Sequence, residues 1–215
     1  MIYLISDLHE SVNFKALNDY LSEDHSKDLL IILGEIVLKF RDTEENEKFT
    51  QYFLSIKYPV AFIDGNHENY QYIYSYPVEE WNGGLVHRLS ENIVYLMRGQ
   101  TYDIDGKSFF AFGGCKSSEK WKAEGLWYPE EEATEEEYEH AYENLKKRNN
   151  KVDYILTHKY CIDRHDPYLV QGLFNLTKFI DKNVDFKYWY FGHSHQIYKV
   201  DDRHECVYNI PVVIE

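Results

Sequence analysis

The sequence has 215 residues, of which 37 are acidic and 23 are basic, and its formal net charge at pH 7 is −14. This acidity disfavours long-range attraction to DNA or RNA, and no apolar run reaches the roughly 18 residues that a membrane helix needs. The first residues lack the basic and then apolar pattern of a secretory signal, so we expect a cytoplasmic location. The three cysteines, Cys115, Cys161 and Cys206, form no Cys-x-x-Cys pair and are predicted to be ordinary buried or half-buried thiols.

The first third of the chain alternates strand and helix patterns. Apolar runs predict strands at residues 2–6, 29–33 and 60–63. Apolar residues at helical spacing predict helices near residues 12–21 and over residues 42–56. This βαβαβ order is typical of a parallel sheet that is covered by helices.

The middle of the chain has a different pattern. Short strands are predicted at residues 93–96, 101–104 and 107–112, and Asp105-Gly106 is a hairpin signal, so an antiparallel section is expected. Residues 129–147 are acidic first and basic last, a distribution that favours one long solvated helix.

The last third returns to apolar strands. Two buried strands are predicted at residues 152–156 and 188–191, and closing strands at residues 197–200, 206–210 and 212–214. Because no internal repeat and no long Gly/Ser or Pro linker divides the sequence, residues 1–215 are expected to form a single domain.

Residues that can bind metal ions follow five of these apolar strands. They are Asp7 and His9, Glu35, Asn66 and His67, His158, and His193 and His195, in the order of the strands. Five of the ten histidines lie in these endings. Since ligands bind beyond the carboxyl ends of strands in parallel α/β sheets, we expect the five endings to converge on one site.

The residue types indicate a metal centre. Imidazole together with carboxylate suits Zn, Mn, Fe, Co or Ni, whereas an all-oxygen set would suit Mg or Ca. Seven of these residues are the candidate ligands: Asp7, His9, Glu35, Asn66, His158, His193 and His195. Seven ligands are too many for one tetrahedral ion. They fit two divalent ions that share a bridging carboxylate, an arrangement in which metals roughly 3.5–4 Å apart clamp a phosphoryl group.

The sequence resembles the calcineurin-like metallophosphoesterases in five motifs, which occur in the family's order and span most of the chain. They are Asp7-Leu-His9, Gly34-Glu35, Gly65-Asn66-His67-Glu68, the lone His158, and Gly192-His193-Ser194-His195. The resemblance implies an α/β fold of four layers, an αββα sandwich in which two mixed β-sheets are flanked by helices.

The resemblance also implies a role for each motif residue. One ion would be held by Asp7, His9 and His195, the other by Asn66, His158 and His193, with Glu35 as the bridge, while His67 would face the scissile phosphate. The implied cofactors are two divalent ions per chain, manganese among the candidates. The implied function is hydrolysis of a phosphate mono- or diester, in a small phosphorylated substrate, by attack of a metal-bound hydroxide.

Two residues depart from the family pattern. Glu35 stands where the family usually has Asp, and Leu38 stands where some members have an acidic residue that orients the catalytic histidine. These departures leave open an alternative, a non-catalytic metal-binding or scaffold module on the same fold. A nuclease is disfavoured because the chain is acidic and has no basic stripe with interleaved aromatic residues.

Two loops, at residues 68–82 and 116–129, are expected to determine substrate specificity. The segment 113–118, with the aromatic residues after it, either lies over the site, with Lys116 on phosphate, or forms an ordinary turn. The tyrosines at positions 70, 72, 74 and 76 either line a pocket or begin a packed helix.

Arg88 and Arg98 are expected to form structural ion pairs. The sequence leaves the oligomeric state open.

Overall fold

The computed structural model describes residues 1–9, 17, 19–20, 22 and 24–214. The helix predicted near residues 12–21 therefore falls mostly outside the described residues. Leu17 and Tyr20, which are described, are both buried.

Two mixed β-sheets form the centre of the described part of the chain. The strands of the first sheet are β1 (Ile2–Ile5), β2 (Leu29–Leu33), β3 (Val60–Ile63), β4 (Val78–Trp81), β5 (Gly84–Arg88), β6 (Ile93–Leu96) and, from the end of the chain, β13 (Val212–Ile214). Their order is β13-β1-β2-β3-β6-β5-β4. The pairs β1–β2, β2–β3 and β3–β6 are parallel, and the strands outside them are antiparallel.

The strands of the second sheet are β7 (Gln100–Ile104), β8 (Lys107–Phe112), β9 (Tyr154–Thr157), β10 (Tyr188–Phe191), β11 (Tyr198–Lys199) and β12 (His204–Cys206). Their order is β11-β12-β10-β9-β8-β7, parallel in the middle and antiparallel at both edges. The predicted hairpin is confirmed, since Asp105 and Gly106 join β7 to β8 with φ values of 49° and 73°.

The helices of the described ranges are α1 (Glu44–Leu54), α2 (Tyr70–Tyr74), α3 (Glu119–Ala123), α4 (Glu135–Lys147) and α5 (Gln171–Asn183), with a 3₁₀ turn at Pro129–Glu131. Thr43 begins α1, because its Oγ1 accepts the backbone N–H of Asn46 at 3.2 Å. None of these helices is both long and apolar enough to cross a bilayer.

Several predicted elements have different bounds in the structure. The helix predicted over residues 129–147 begins only at Glu135, because Thr134 and Glu137 form a capping box there. In place of the strand predicted at residues 206–210, the structure has β12 at His204–Cys206. Strands β4 and β5 and helix α5 were not among the predicted elements.

The apolar core lies between the two sheets. Ile31 and Ala61 of the first sheet pack in one cluster with Phe109 and Leu156 of the second. All five residues of β2 are buried, as expected for a parallel strand that is covered on both faces.

Helices cover the two outer faces. Phe53 of α1 belongs to a cluster with Phe62 on the outside of the first sheet. Leu145 of α4 and Ile180 of α5 pack with Trp189 on the outside of the second sheet. The order is therefore helix, sheet, sheet, helix, which confirms the predicted αββα sandwich of two mixed sheets.

Candidate metal centre

The five predicted strand endings meet at one place, at the carboxyl ends of β1, β2, β3, β9 and β10. Four of the candidate ligands that follow these strands have left-handed backbone, with positive φ values: Asp7 (60°), Glu35 (58°), His193 (70°) and His195 (51°). Such a conformation costs a residue with a Cβ roughly 1–2 kcal/mol. Strain of this kind is concentrated at functional sites, where the surrounding structure holds it.

Two glycines allow the endings to approach each other. A Cβ at Gly34 would lie 2.5 Å from His158 Nδ1, and a Cβ at Gly65 would lie 2.5 Å from Glu35 Cγ. Any side chain at either position would therefore displace a candidate ligand. These contacts explain why glycine precedes Glu35 and Asn66 in the two motifs.

The first group of donor atoms comes from Asp7, His9, Glu35 and His195, whose ligand atoms all lie within 4.8 Å of one another. His9 Nε2 is 2.7 Å from Glu35 Oε2 and 3.1 Å from His195 Nε2. His195 Nε2 is 3.5 Å from Asp7 Oδ1. This group brings together the residues predicted for one ion, with Glu35 among them.

The second group is centred on Asn66. Its Oδ1 lies 3.2 Å from His158 Nε2 and 3.2 Å from His193 Nδ1. Glu35 Oε1 lies 3.8 Å from His158 Nε2, whereas Glu35 Oε2 faces the first group. The two oxygens of one buried carboxylate thus connect both groups, as a bridging ligand requires.

The hydrogen bonds of His158 show that the second group fits a cation. His158 Nδ1 lies 2.7 Å from the carbonyl oxygen of Leu33, which can only accept, so Nδ1 carries the hydrogen. In the neutral ring, Nε2 then presents a lone pair toward Asn66 Oδ1 and Glu35 Oε1, which are acceptors too. A divalent ion among these atoms would satisfy them all, and the carbonyl bond to Nδ1 is a common support for a metal-binding histidine.

Burial and hydrogen bonds together set the protonation of the centre. It lowers the pKa of His193 to about 3, and neutral imidazole is the form that binds metal. Burial alone would raise the pKa of Glu35, but hydrogen bonds from His195 and His9 outweigh it and hold that pKa well below its ordinary value. Burial raises the pKa of Asp7 to about 6, against the opposing field of His158.

His67 lies beside both groups and belongs to neither of the donor clusters that the described residues form. Its Nε2 is 3.8 Å from Glu35 Oε1 and 3.1 Å from Asn66 Nδ2. The amide N–H₂ of Asn66 donates to Nε2, which places the ring hydrogen of a neutral His67 on Nδ1. Burial lowers the pKa of His67 to about 4.

Glu68 supports the turn that carries Glu35, a role that the sequence did not reveal. Its carboxylate accepts the backbone N–H groups of Ile36 at 3.0 Å, Val37 at 3.1 Å and Gly65 at 3.3 Å. Leu38, at the departure from the family pattern, is fully buried in the apolar cluster outside the first sheet, and its apolar side chain cannot orient His67 by a hydrogen bond.

Arg98 forms a buried ion pair, as predicted. Its Nε lies 3.0 Å from Asp64 Oδ2, and its guanidinium also donates to the carbonyl oxygen of Glu130 at 2.8 Å. Tyr95 donates to the other oxygen of Asp64 at 2.9 Å. Asp64 is thereby fixed beside Asn66. Its carbonyl oxygen accepts the backbone N–H of Gly114, so the segment that follows β8 is fixed as well. Arg88 is likewise paired, with Glu79.

A cavity of about 660 Å³ opens beside His9 and His67. Much of its described wall is apolar or aromatic, including Phe40, Phe49, Tyr52 and Trp121. Arg41 and Lys48 add positive charges to the wall and Glu45 a negative one. The Trp121 ring lies 4.4 Å from the His67 ring, between centroids. Part of the loop 116–129 therefore lies at the site.

Of the four tyrosines at positions 70–76, the first three lie in helix α2 and Tyr76 follows it. Tyr70 is buried and donates to the carbonyl oxygen of Gly65 at 2.5 Å. Tyr72 and Tyr76 bond each other through their hydroxyl groups at 2.8 Å. The four tyrosines are not among the described residues that line the cavity.

The sequence matches one known protein family over most of its length. The sequence model of a family described as calcineurin-like phosphoesterase matches residues 1–197. A solved crystal structure resembles this chain with a TM-score of 0.48 and 12% identity, over 96% of this chain and 88% of the other. No curated protein matches. The match over most of the sequence shows that the chain belongs to the calcineurin-like phosphoesterase family.

Proposed function

We propose that this protein is a two-metal phosphoesterase that hydrolyses an ester of a small phosphorylated compound. The observation that carries the proposal is the Glu35 carboxylate, which directs one oxygen to each of two donor groups. Both sheets contribute ligands to the centre, which supports one catalytic domain over residues 1–215.

The proposed ligands follow the two groups. Asp7, His9 and His195 would hold one ion, Asn66, His158 and His193 would hold the other, and Glu35 would bridge them. Two divalent ions, when bound, neutralise phosphoryl oxygens and lower the pKa of water, which is the chemistry that this reaction needs.

His67 is proposed to act on the substrate rather than on the metal. Its Nδ1 is buried and has no hydrogen-bond partner among the described residues. The other ring nitrogen, Nε2, faces the proposed metals at 3.8 Å from Glu35 Oε1, and in the protonated ring its N–H would donate to a substrate oxygen there. A hydrogen bond there would stabilise the negative charge that develops on the phosphoryl or leaving-group oxygen.

The cavity is proposed to receive the leaving group of the ester. Its aromatic wall favours an apolar or planar group, since such surfaces stack with rings and exclude water. Arg41 would attract the negative phosphate. The preferred substrates are therefore small phosphate mono- or diesters with an aromatic or apolar leaving group.

The non-catalytic alternative is not favoured by the geometry. Two residues motivate it: Glu35, whose extra methylene changes the bridge, and Leu38, which stands where some members have an acidic orienting residue. The carboxylate nevertheless reaches both donor groups, and His67 Nε2 lies 3.8 Å from Glu35 Oε1, which supports a role for His67 beside the metals.

Hydrolysis assays on metal-loaded protein test the proposal. The folded protein should hydrolyse p-nitrophenyl phosphate or its bis ester after loading with Mn²⁺, Zn²⁺, Fe²⁺, Co²⁺ or Ni²⁺, and a chelator should abolish the reaction. Background rates with every metal, in protein that is folded and carries metal, would count in favour of a binding module.

A further inference from the structure

Cys115 lies within the second donor group. The residue follows Gly113-Gly114 at the end of β8, and its side chain is 2% exposed. Its Sγ is 3.1 Å from Asn66 Oδ1 and 3.5 Å from His193 Nδ1. The ligand atoms of Cys115, His158 and His193 lie within 4.8 Å of one another. The two other cysteines do not belong to a donor cluster of the described residues.

The separations match those of ligands around one ion. In a four-coordinate zinc site with bonds of about 2.0–2.3 Å, neighbouring donor atoms lie roughly 3.3–3.7 Å apart. Asn66 Oδ1 is 3.2 Å from the nitrogens of both histidines, and the Cys115 distances of 3.1 and 3.5 Å are of the same size. The sulfur is thus at ligand distance from its neighbours.

The backbone on both sides of Cys115 is fixed by buried contacts. The N–H of Gly114 donates to the carbonyl oxygen of Asp64 at 2.9 Å, and a Cβ on Gly114 would lie 2.5 Å from a nitrogen of Arg98. On the other side, the N–H of Ser117 donates to Glu131 at 2.7 Å, and the Ser117 hydroxyl accepts from Asn66 at 3.1 Å. The sulfur is therefore preorganised rather than placed by a loose loop.

We propose that Cys115 supplies a thiolate ligand to the second metal ion, beside Asn66, His158 and His193. The inference rests on the two-metal centre proposed above and adds to it a preference for particular ions. Thiolate favours zinc and other soft or borderline ions, whereas Mn²⁺ and Mg²⁺ prefer oxygen ligands. On coordination the thiol proton passes to solvent, so that sulfur binds as the anion.

Absorption of the cobalt-loaded protein provides a direct test. Metal-free full-length protein titrated with Co²⁺ should develop a near-ultraviolet band of thiolate-to-cobalt charge transfer, together with the visible bands of bound cobalt. Cys115→Ser should lose the near-ultraviolet band, retain visible cobalt bands, and bind Zn²⁺ at least about tenfold more weakly. In the same variant, the ratio of the affinity for Zn²⁺ to the affinity for Mn²⁺ should fall.

The matched controls are the two cysteines outside the centre. The double variant Cys161→Ser/Cys206→Ser contains Cys115 as its sole cysteine, so its cobalt spectrum should keep the charge-transfer band. This variant also provides the test if Cys115→Ser does not fold.

The outcomes separate the two proposals. Bound cobalt without a thiolate band, in the wild-type protein and in the double variant, would overturn the assignment of Cys115 and leave the metal centre intact. Failure of the folded protein to bind cobalt, zinc or manganese would overturn both.

Discussion

Glu35 packs directly against Gly65, so closely that a Cβ on Gly65 would lie 2.5 Å from Glu35 Cγ. The methylene by which Glu exceeds Asp occupies the space that glycine leaves. Beyond it, the carboxylate is 2% exposed and turns one oxygen to His9 and the other to His158. This chain thus has room for the longer side chain of Glu35, the proposed bridge.

The variant Glu35→Asp tests that interpretation. Shortening the side chain by about 1.5 Å withdraws the carboxylate from both donor groups. We expect weaker binding of at least one metal ion and a roughly tenfold or greater fall in kcat, measured by elemental analysis and by steady-state kinetics. A large gain in rate would instead show that Glu35 detunes the natural site.

The variant His67→Ala should separate metal binding from chemistry. His67 belongs to neither donor group, so the variant should keep its metal content while kcat falls by about 10²- to 10⁴-fold. His158→Ala is the matched comparison, because it removes a proposed ligand and should lose metal as well as rate. Metal loss in His67→Ala, measured by elemental analysis, would contradict the role assigned to His67.

Trp121 is expected to contribute to substrate binding through its ring. Trp121→Ala should raise KM for p-nitrophenyl phosphate by roughly 2- to 10-fold, the size of one lost aromatic contact. Glycerol phosphate, which has no ring, should show little change. Trp127→Ala is the control, because Trp127 bonds Glu131 at 2.7 Å and is not among the described residues of the cavity. Equal effects of both variants on both substrates would exclude a stacking role.

The ion pairs of His204 predict a pH dependence of stability. Burial alone would lower its pKa, but bonds to Asp181 at 3.0 Å and Asp201 at 2.8 Å outweigh burial and raise the pKa above its ordinary value. The folded state therefore holds this proton more tightly than the unfolded state. The resulting stabilisation is fully present below the unfolded pKa of about 6.5 and is lost as the pH rises through the folded pKa.

The variant His204→Gln should therefore be destabilised more at low pH than at high pH. In denaturant unfolding of metal-free protein at about pH 5.5, the free energy of unfolding of the variant should be roughly 1.5–3 kcal/mol below that of the wild type. At about pH 8.5 this difference should be smaller. If the free energies of unfolding of wild type and variant differed by the same amount at both pH values, the ion-pair account would be contradicted.

The strand endings were predictable because their signal is local. An apolar run that stops at Asp7 or at Asn66 is visible in a few consecutive residues, and parallel strands bring such endings to one edge. The βαβαβ pattern predicted a parallel sheet covered by helices, and the four-layer arrangement was implied by the family resemblance.

What the sequence did not reveal depends on contacts between distant residues. Cys115 meets Asn66 across 49 positions of the chain, and a single cysteine after Gly-Gly carries no spacing signal. Glu68 stands in a motif where a carboxylate is easily taken for a ligand, yet it bonds the backbone after Glu35. Strand β4 is only partly buried at alternate residues, so it lacks a strong apolar run.

The central claim, two ions bridged by Glu35, is tested most directly by anomalous diffraction from crystals of the Mn²⁺- or Zn²⁺-loaded protein. The account predicts two anomalous peaks roughly 3.5–4 Å apart. One peak should lie among Asp7, His9 and His195, the other among Asn66, His158 and His193, with Glu35 between them. A single peak, or peaks away from Glu35, in fully loaded crystals would contradict it.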